Sequence, residues 1–219
     1  MENHNKLSFI AITVMAVMAI VSFTNLFGLN LSSVAIIIGI AFFFICNAIE
    51  KQPMKGSGLD FMAIGEGFRN KKIWLWLVLP LIADAICVLL AILFLPEYIE
   101  YETTRAGAFV AIEISVKSIL MFFLFALGEE IAWRAFFQNR LSKRLPAFAA
   151  VLITSLLFTL GHYKRGDISI VLFGLLFTFL NSVLYGIIFH KAKNAWISTI
   201  SHFTANIFEV ILFIIIANG

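Results

Sequence analysis

The chain has 219 residues, of which 61% are hydrophobic and only 13% charged. Soluble domains carry about a quarter charged residues, so this composition excludes a soluble globular domain, a disordered tail and a nucleic-acid binder. The net charge is only +3, so the placement of the charges says more than their sum.

A membrane-crossing helix needs about 20 mostly apolar residues. In chain order the candidate runs begin with Leu7–Phe27 and Leu31–Ile49. Ile73–Leu95 follows, interrupted by Pro80 and Asp84, and then Gly107–Gly128, interrupted by Glu113 and Lys117. The shorter Leu145–Gly161 and the long Ile168–Phe189 come next, and Ala195–Asn218 closes the chain with His202 and Glu209 inside it. These runs predict an all-α, polytopic transmembrane bundle of seven spans, or eight if the last run breaks near Asn206. The runs are continuous and not alternating, which excludes a β-barrel. Leu7–Phe27 is too long for a signal-peptide core and no Ala-x-Ala site follows it, so it reads as a retained span. Residues 50–72 are the one sizeable polar segment; with Pro53, Gly56 and Gly58 they read as a loop with a short interfacial helix. No repeat or linker divides the chain, so residues 1–219 read as a single integral-membrane domain. Cys46 and Cys87 lie in apolar runs and offer neither a disulfide framework nor metal-ligand spacing.

The loops set the orientation. With seven spans, one side carries Lys6, Lys51, Lys55, Arg69, Lys71, Lys72, Arg140, Lys143, Arg144, Lys191 and Lys193. The other side carries only Arg105, Lys164 and Arg165, and its loop Pro96–Arg105 is acidic through Glu97, Glu100 and Glu102. The positive-inside rule then places the N-terminus in the cytoplasm of a multi-pass cell-membrane protein.

Ionisable residues inside spans are costly unless paired or hydrated, so each is a functional candidate. Glu113 and Lys117 stand four apart in the order that favours an intrahelical ion pair. Asp84, four residues after Pro80, either steadies a kink or faces the bundle interior. His190 reads as interfacial beside Lys191, and His4 as inert in the tail. A denser group follows at Gly128-Glu-Glu-Ile-Ala-Trp-Arg134. At about 3.6 residues per turn, Glu130 and Arg134 share a helix face and should pair, which leaves Glu129 over. A spare carboxylate beside another acid in a low-dielectric setting is a candidate proton acceptor and donor. Trp133 shares its face and could wall a pocket. His162 then ends the fifth run, while His202, Asn206 and Glu209 line one face of the seventh. Three spans presenting Glu, His and His plus Asn make chemical sense only if they converge on one cavity. Asn181 is a further polar partner inside the sixth run.

Together these motifs resemble the CPBP intramembrane protease family, also called the Abi family. It includes type II CAAX prenyl endopeptidases and bacteriocin-processing or immunity proteins. The family pattern is Glu-Glu-x-x-x-Arg, Phe-x-x-x-His and His-x-x-x-Asn or Asp. Here it stands complete and in order as Glu129-Glu130-x-x-x-Arg134, Phe158-x-x-x-His162 and His202-x-x-x-Asn206, in a core of about residues 108–217. The resemblance implies an endopeptidase that hydrolyses a peptide bond near the cytoplasmic membrane face. Glu129 would activate water, His162 would orient it or stabilise the intermediate, and His202 with Asn206 would stabilise the oxyanion. Glu130, Arg134, Phe158 and Trp133 would support them. The implied partner is a peptide or protein substrate, such as a prenylated tail, a bacteriocin leader or a pro-peptide, met in membrane lipid and without nucleic acid.

Attack by water needs an activating base and donors for the developing oxyanion, and no Ser or Cys stands in a nucleophile motif. Glu129, His162 and His202 could instead hold Zn²⁺ with a water in its fourth position. The chain has no His-Glu-x-x-His, and Glu130 is taken by Arg134 if a separate base is needed, so metal-free chemistry is favoured and no cofactor is expected. The competing readings are a non-catalytic scaffold or immunity protein and a Glu/His proton-coupled transporter. The transporter lacks the repeats and matched broken helices it would need. One expectation strains the picture: counted at about 1.5 Å per residue from the cytoplasmic ends, His202 lies about 10 Å deep and His162 beyond the membrane centre. Tilt, or a later start to the fifth span, has to bring them level.

Overall fold

The computed structural model describes the backbone of residues 2–109 and 116–218 and the side chains of 9–104 and 116–216. Its described residues form helices α1 (Glu2–Thr24), α2 (Ser32–Ile49), α3 (Ile64–Arg69), α4 (Lys71–Phe94) and α5 (Pro96–Phe109). Helix α6 (Val116–Glu129) passes without a break into a π-helical segment, Glu130–Gln138, and a closing turn, α7 (Asn139–Leu141). Helices α8 (Ala147–Leu160), α9 (Ile168–Ala192) and α10 (Ala195–Asn218) complete the bundle. No strand occurs among the described residues.

Five helical segments are long and apolar enough to cross a bilayer: Phe9–Phe27, Ser32–Ile49, Lys71–Phe94, Ile168–Ala192 and Ala195–Ile216. They make this a multi-pass membrane protein. Large apolar side chains stand on its outer surface, with Phe9 71%, Leu75 65% and Phe148 74% exposed. A lipid phase solvates such a surface, and water does not.

Two of the seven expected spans take a different form. The fourth expected run, Gly107–Gly128, covers the end of α5, six residues outside the described set and most of α6. The Glu113–Lys117 pair expected there lies partly outside the described residues. Hydropathy ended that run at Gly128 because Glu129, Glu130 and Arg134 follow. The helix continues to Leu141 because those charges are satisfied inside the protein. The fifth run supplies an apolar helix of only 14 residues, about 21 Å long against a hydrocarbon core of about 30 Å. The break near Asn206 that would have given eight spans is absent: α10 runs through it as one 24-residue helix.

The acidic segment Pro96–Arg105 is a helix and not a loop. Pro96 opens it, a position where a proline's missing N–H costs nothing. Tyr98 buries its ring against Phe173 of α9 at 4.9 Å and Phe213 of α10 at 6.5 Å. Residues 50–72 do hold a short helix, α3. Asp84 faces the bundle interior: it is 3% exposed, and Asn181 Nδ2 donates to its Oδ1 at 2.5 Å. Helix α4 carries Pro80 without ending there. Both cysteines are free and buried.

The architecture places α10 against α4, α6 and α9, while the α1–α2 hairpin packs on the π segment and α8. Gly39 of α2 makes the second contact very close: a Cβ there would lie 2.6 Å from Ala132 Cβ. The largest core cluster joins Met18, Phe43, Trp133, Phe136 and Phe158. Around the start of α10 a loop folds over the bundle. Ala195 N donates to Gly58 O at 2.7 Å and Asn194 Nδ2 to Asp60 O at 2.7 Å. Gly58 takes φ 95° with Phe189 Cζ 3.3 Å from where a Cβ would sit, so both backbone and space demand glycine there. Ala195 and Ile197 are consequently 0% exposed.

Candidate active site

The π segment carries the first motif. Glu130 and Arg134 are both fully buried, with Arg134 Nε 3.6 Å from Glu130 Oε2. The guanidinium also donates through Nη2 to Ser182 O at 3.1 Å and Ser182 Oγ at 2.9 Å on α9, and it lies over the Phe158 ring at 5.3 Å. A buried charge survives only when paired and hydrogen-bonded, and this one is supplied from two helices. One turn on, Gln138 Nε2 donates to Gly186 O of α9 at 2.9 Å. The pairing expected from the four-residue spacing is present, although the segment winds as a π-helix. π segments occur frequently at functional sites.

Glu129 occupies the last α-helical position before that segment. Its side chain is 16% exposed, and its two oxygens face two histidines: Oε2 lies 3.6 Å from His202 Nε2, and Oε1 lies 4.0 Å from His162 Nε2. His202 therefore faces a carboxylate at each nitrogen, but only Glu130 Oε1, 3.2 Å from its Nδ1, is within hydrogen-bond reach. Glu130 is shared between Arg134 and His202, so the expected division into one neutralised and one spare carboxylate is only half of the arrangement. Both acids meet the same imidazole.

The Phe-x-x-x-His spacing has a local cause. His162 lies in the turn after α8, and its Nδ1 donates to Phe158 O, four residues back, at 2.9 Å. A carbonyl only accepts, so the neutral ring keeps its proton on Nδ1 and leaves the Nε2 lone pair toward Glu129. The Phe158 ring lies 4.4 Å from the His162 ring and 6.3 Å from that of His202. It is a spacer between the two histidines and the guanidinium. Asn25, at the end of α1, donates to Gly161 O and ties the N-terminal hairpin to the same turn.

Three expectations change. Trp133, expected on the face of Glu129, is a core side chain, 3% exposed and packed against Phe137 and Phe158. Asn206 follows His202 by one turn of α10 but makes no hydrogen bond among the described residues. His162 and His202, expected at different depths, do meet: both Nε2 atoms lie within 4.0 Å of Glu129. Glu129 sits in the middle of the Val116–Leu141 helical run and not at its end, and α10 begins beneath the Gly58–Asp60 loop. A cavity of about 100 Å³ opens beside His162 and is lined further by Tyr98, Glu102, Lys164, Thr178 and Glu209. Glu209 lines this cavity together with His162.

Sequence reasoning missed Ser182 and Tyr185 on α9. Ser182 receives Arg134, and Tyr185 stacks on His202 at 4.4 Å with an 18° angle between the rings. Neither belongs to a motif. The only signal was that Asn181 and Ser182 break an otherwise apolar helix. Among the described residues, no three His, Cys, Asp or Glu side chains are arranged to hold one metal ion.

Residues 111–208 match the family model described as type II CAAX prenyl endopeptidase Rce1-like. The matched segment contains every motif residue described above. No curated protein and no solved structure matches the chain.

Proposed function

Because residues 111–208 match the family model described as type II CAAX prenyl endopeptidase Rce1-like, we propose that the chain is an active intramembrane endopeptidase working by Glu129-activated water. The observation that carries this reading is the placement of Glu129, with one oxygen toward His162 in the turn after α8 and the other toward His202 on α10. The gap to His162 Nε2 is 4.0 Å, too long for a direct hydrogen bond but suited to one water bonded to both. Glu129 takes a proton from that water as it attacks the scissile carbonyl. His162 Nε2 accepts from the same water and fixes its direction. His202 and Asn206 donate to the oxyanion that forms, and Glu130 steadies His202 from its far nitrogen. Glu129 then returns the proton to the departing amine, which closes the cycle without a covalent intermediate.

The metal-free form of this chemistry is the one proposed: the chain has no His-Glu-x-x-His, and Glu130, the separate base a zinc site would need, is already paired with Arg134 and His202. The membrane topology that goes with it has seven spans, with the Val116–Leu141 helical run and the short α8 as the fourth and fifth. The N-terminus lies on the cytoplasmic side with the basic loops. The whole chain forms one domain whose core spans about residues 108–217, and the substrate is a peptide or protein tail met near the cytoplasmic face.

The experiment compares wild type, Glu129→Gln and His162→Ala in detergent on a panel of internally quenched peptides, prenylated and unprenylated. Wild type is expected to cleave at least one. Glu129→Gln should lose about 10²–10⁴-fold in kcat, the usual contribution of a general base. Equal cleavage by wild type and Glu129→Gln refutes the mechanism. No cleavage of any peptide favours the scaffold reading.

A further inference from the structure

The first candidate is the Asp84–Asn181 contact between α4 and α9, with a buried unpartnered oxygen on each side chain. It offers too few groups to define a ligand. The cavity beside His162 is polar but belongs to the site already described. Helix α9 carries more. It holds no motif residue, yet one face of it touches three parts of the site. Ser182 accepts from Arg134, Tyr185 stacks on His202, and Gly186 O accepts from Gln138.

We propose that Tyr185 is a positioning residue that sets the plane of the His202 ring. Hydrogen bonding alone does not fix that plane. Only Nδ1 is hydrogen-bonded, to Glu130 at 3.2 Å; Glu129 stands 3.6 Å from Nε2, beyond hydrogen-bond reach, so the ring can still tilt about Nδ1 and carry Nε2 with it. A flat surface parallel to the ring removes this freedom. Tyr185 supplies it: the ring centroids are 4.4 Å apart and the planes differ by only 18°. Such offset-stacked contact is a favoured arrangement of aromatic rings. Tyr185 is itself immobile, 3% exposed and packed with Ile73, Ile188, Ile197 and Ala205. The edge of Phe158 approaches His202 at 6.3 Å and 75°, which leaves the broad face to Tyr185.

The chemical consequence follows from the geometry of the oxyanion. A donor stabilises it only when its N–H points at the place where charge develops. An imidazole that tilts about Nδ1 spends part of its time with Nε2 misaimed, and a misplacement of about 1 Å can cost about 10²-fold in rate. The aromatic face does this work and the hydroxyl does not.

This inference rests on the hydrolytic reading, so its test has one readout that needs catalysis and one that does not. Tyr185→Phe keeps the face, whereas Tyr185→Leu and Tyr185→Met fill the space without a flat ring. The leucine and methionine variants should lose about 10–100-fold in kcat with KM within about threefold, and Tyr185→Phe should stay within about threefold of wild type. Using two non-aromatic variants guards against one that fails to fold, with melting in detergent as the check. Independently, the chain has only four histidines, so ring signals in histidine-labelled protein can be assigned by His202→Gln. The upfield ring-current shift of the His202 protons should persist in Tyr185→Phe and vanish in Tyr185→Leu. A folded non-aromatic variant with wild-type kcat overturns the proposal, as does a phenylalanine variant as impaired as leucine. If wild type cleaves nothing, the hydrolytic reading has failed and the spectrum decides alone: an unshifted His202 in wild type overturns the placement of Tyr185.

Discussion

Breaking the buried pair in the π segment gives the sharpest prediction. Arg134 Nε and Glu130 Oε2 are 3.6 Å apart with both side chains fully buried. At an effective dielectric of about 20, unit charges at that distance attract by about 5 kcal/mol. Desolvation of both groups offsets much of this, so the pair is worth less than that as a net contribution. Removing one partner alone is a different matter. Arg134→Met leaves the Glu130 carboxylate buried against His202, and leaves Ser182 O and Oγ without their donor. The expected loss is about 3–5 kcal/mol. Glu130→Gln keeps the volume but strands the guanidinium, with a loss of about 2–4 kcal/mol by the same reasoning. The double variant removes both charges together, so it should be more stable than the sum of the singles by about 2 kcal/mol. The assay is reversible unfolding in mixed micelles with increasing SDS mole fraction, read by far-UV circular dichroism. Additive losses, with coupling below about 0.5 kcal/mol, would show that the two charges do not depend on each other and would refute the account of the segment.

Other outcomes follow from the same geometry. Gly39→Leu should unfold the α2 contact with the π segment, at a cost of about 1–3 kcal/mol or more, because even a Cβ would sit 2.6 Å from Ala132 Cβ; a melting curve like that of wild type would contradict the packing. Arg140→Gln removes the charge pair with Glu50 (Nη1–Oε1 2.5 Å) that joins the end of α2 to α7. It should cost only about 1 kcal/mol, and the difference from wild type should shrink in high salt. Activity should survive prolonged chelation with metal content below one tenth per chain; a zinc stoichiometry near one, with cleavage lost on its removal, would overturn the metal-free chemistry.

Much of the membrane character was legible in the chain because hydropathy is a local property. Leu31–Ile49 and Ile168–Phe189 matched α2 and α9 closely, since no charge interrupts them. The same rule failed at Gly128. There the helix goes on through Glu129, Glu130 and Arg134, and no window average can know that Arg134 is met by Ser182, 48 residues away. It failed again at Pro96–Arg105, where Glu97, Glu100 and Glu102 suggested a loop and Tyr98 instead anchors a helix between α9 and α10.

The sequence by itself determined that the chain lives in a membrane, and it placed Glu129, Glu130, Arg134, His162, His202 and Asn206 in recognisable spacings. Those spacings are read over four residues, the reach of one helical turn. Only the tertiary structure decided that His202 faces both carboxylates, that Tyr185 lies flat on its ring, and that Trp133 is core. These are contacts between helices, and their register depends on how α6, α8, α9 and α10 pack and on where each of them starts.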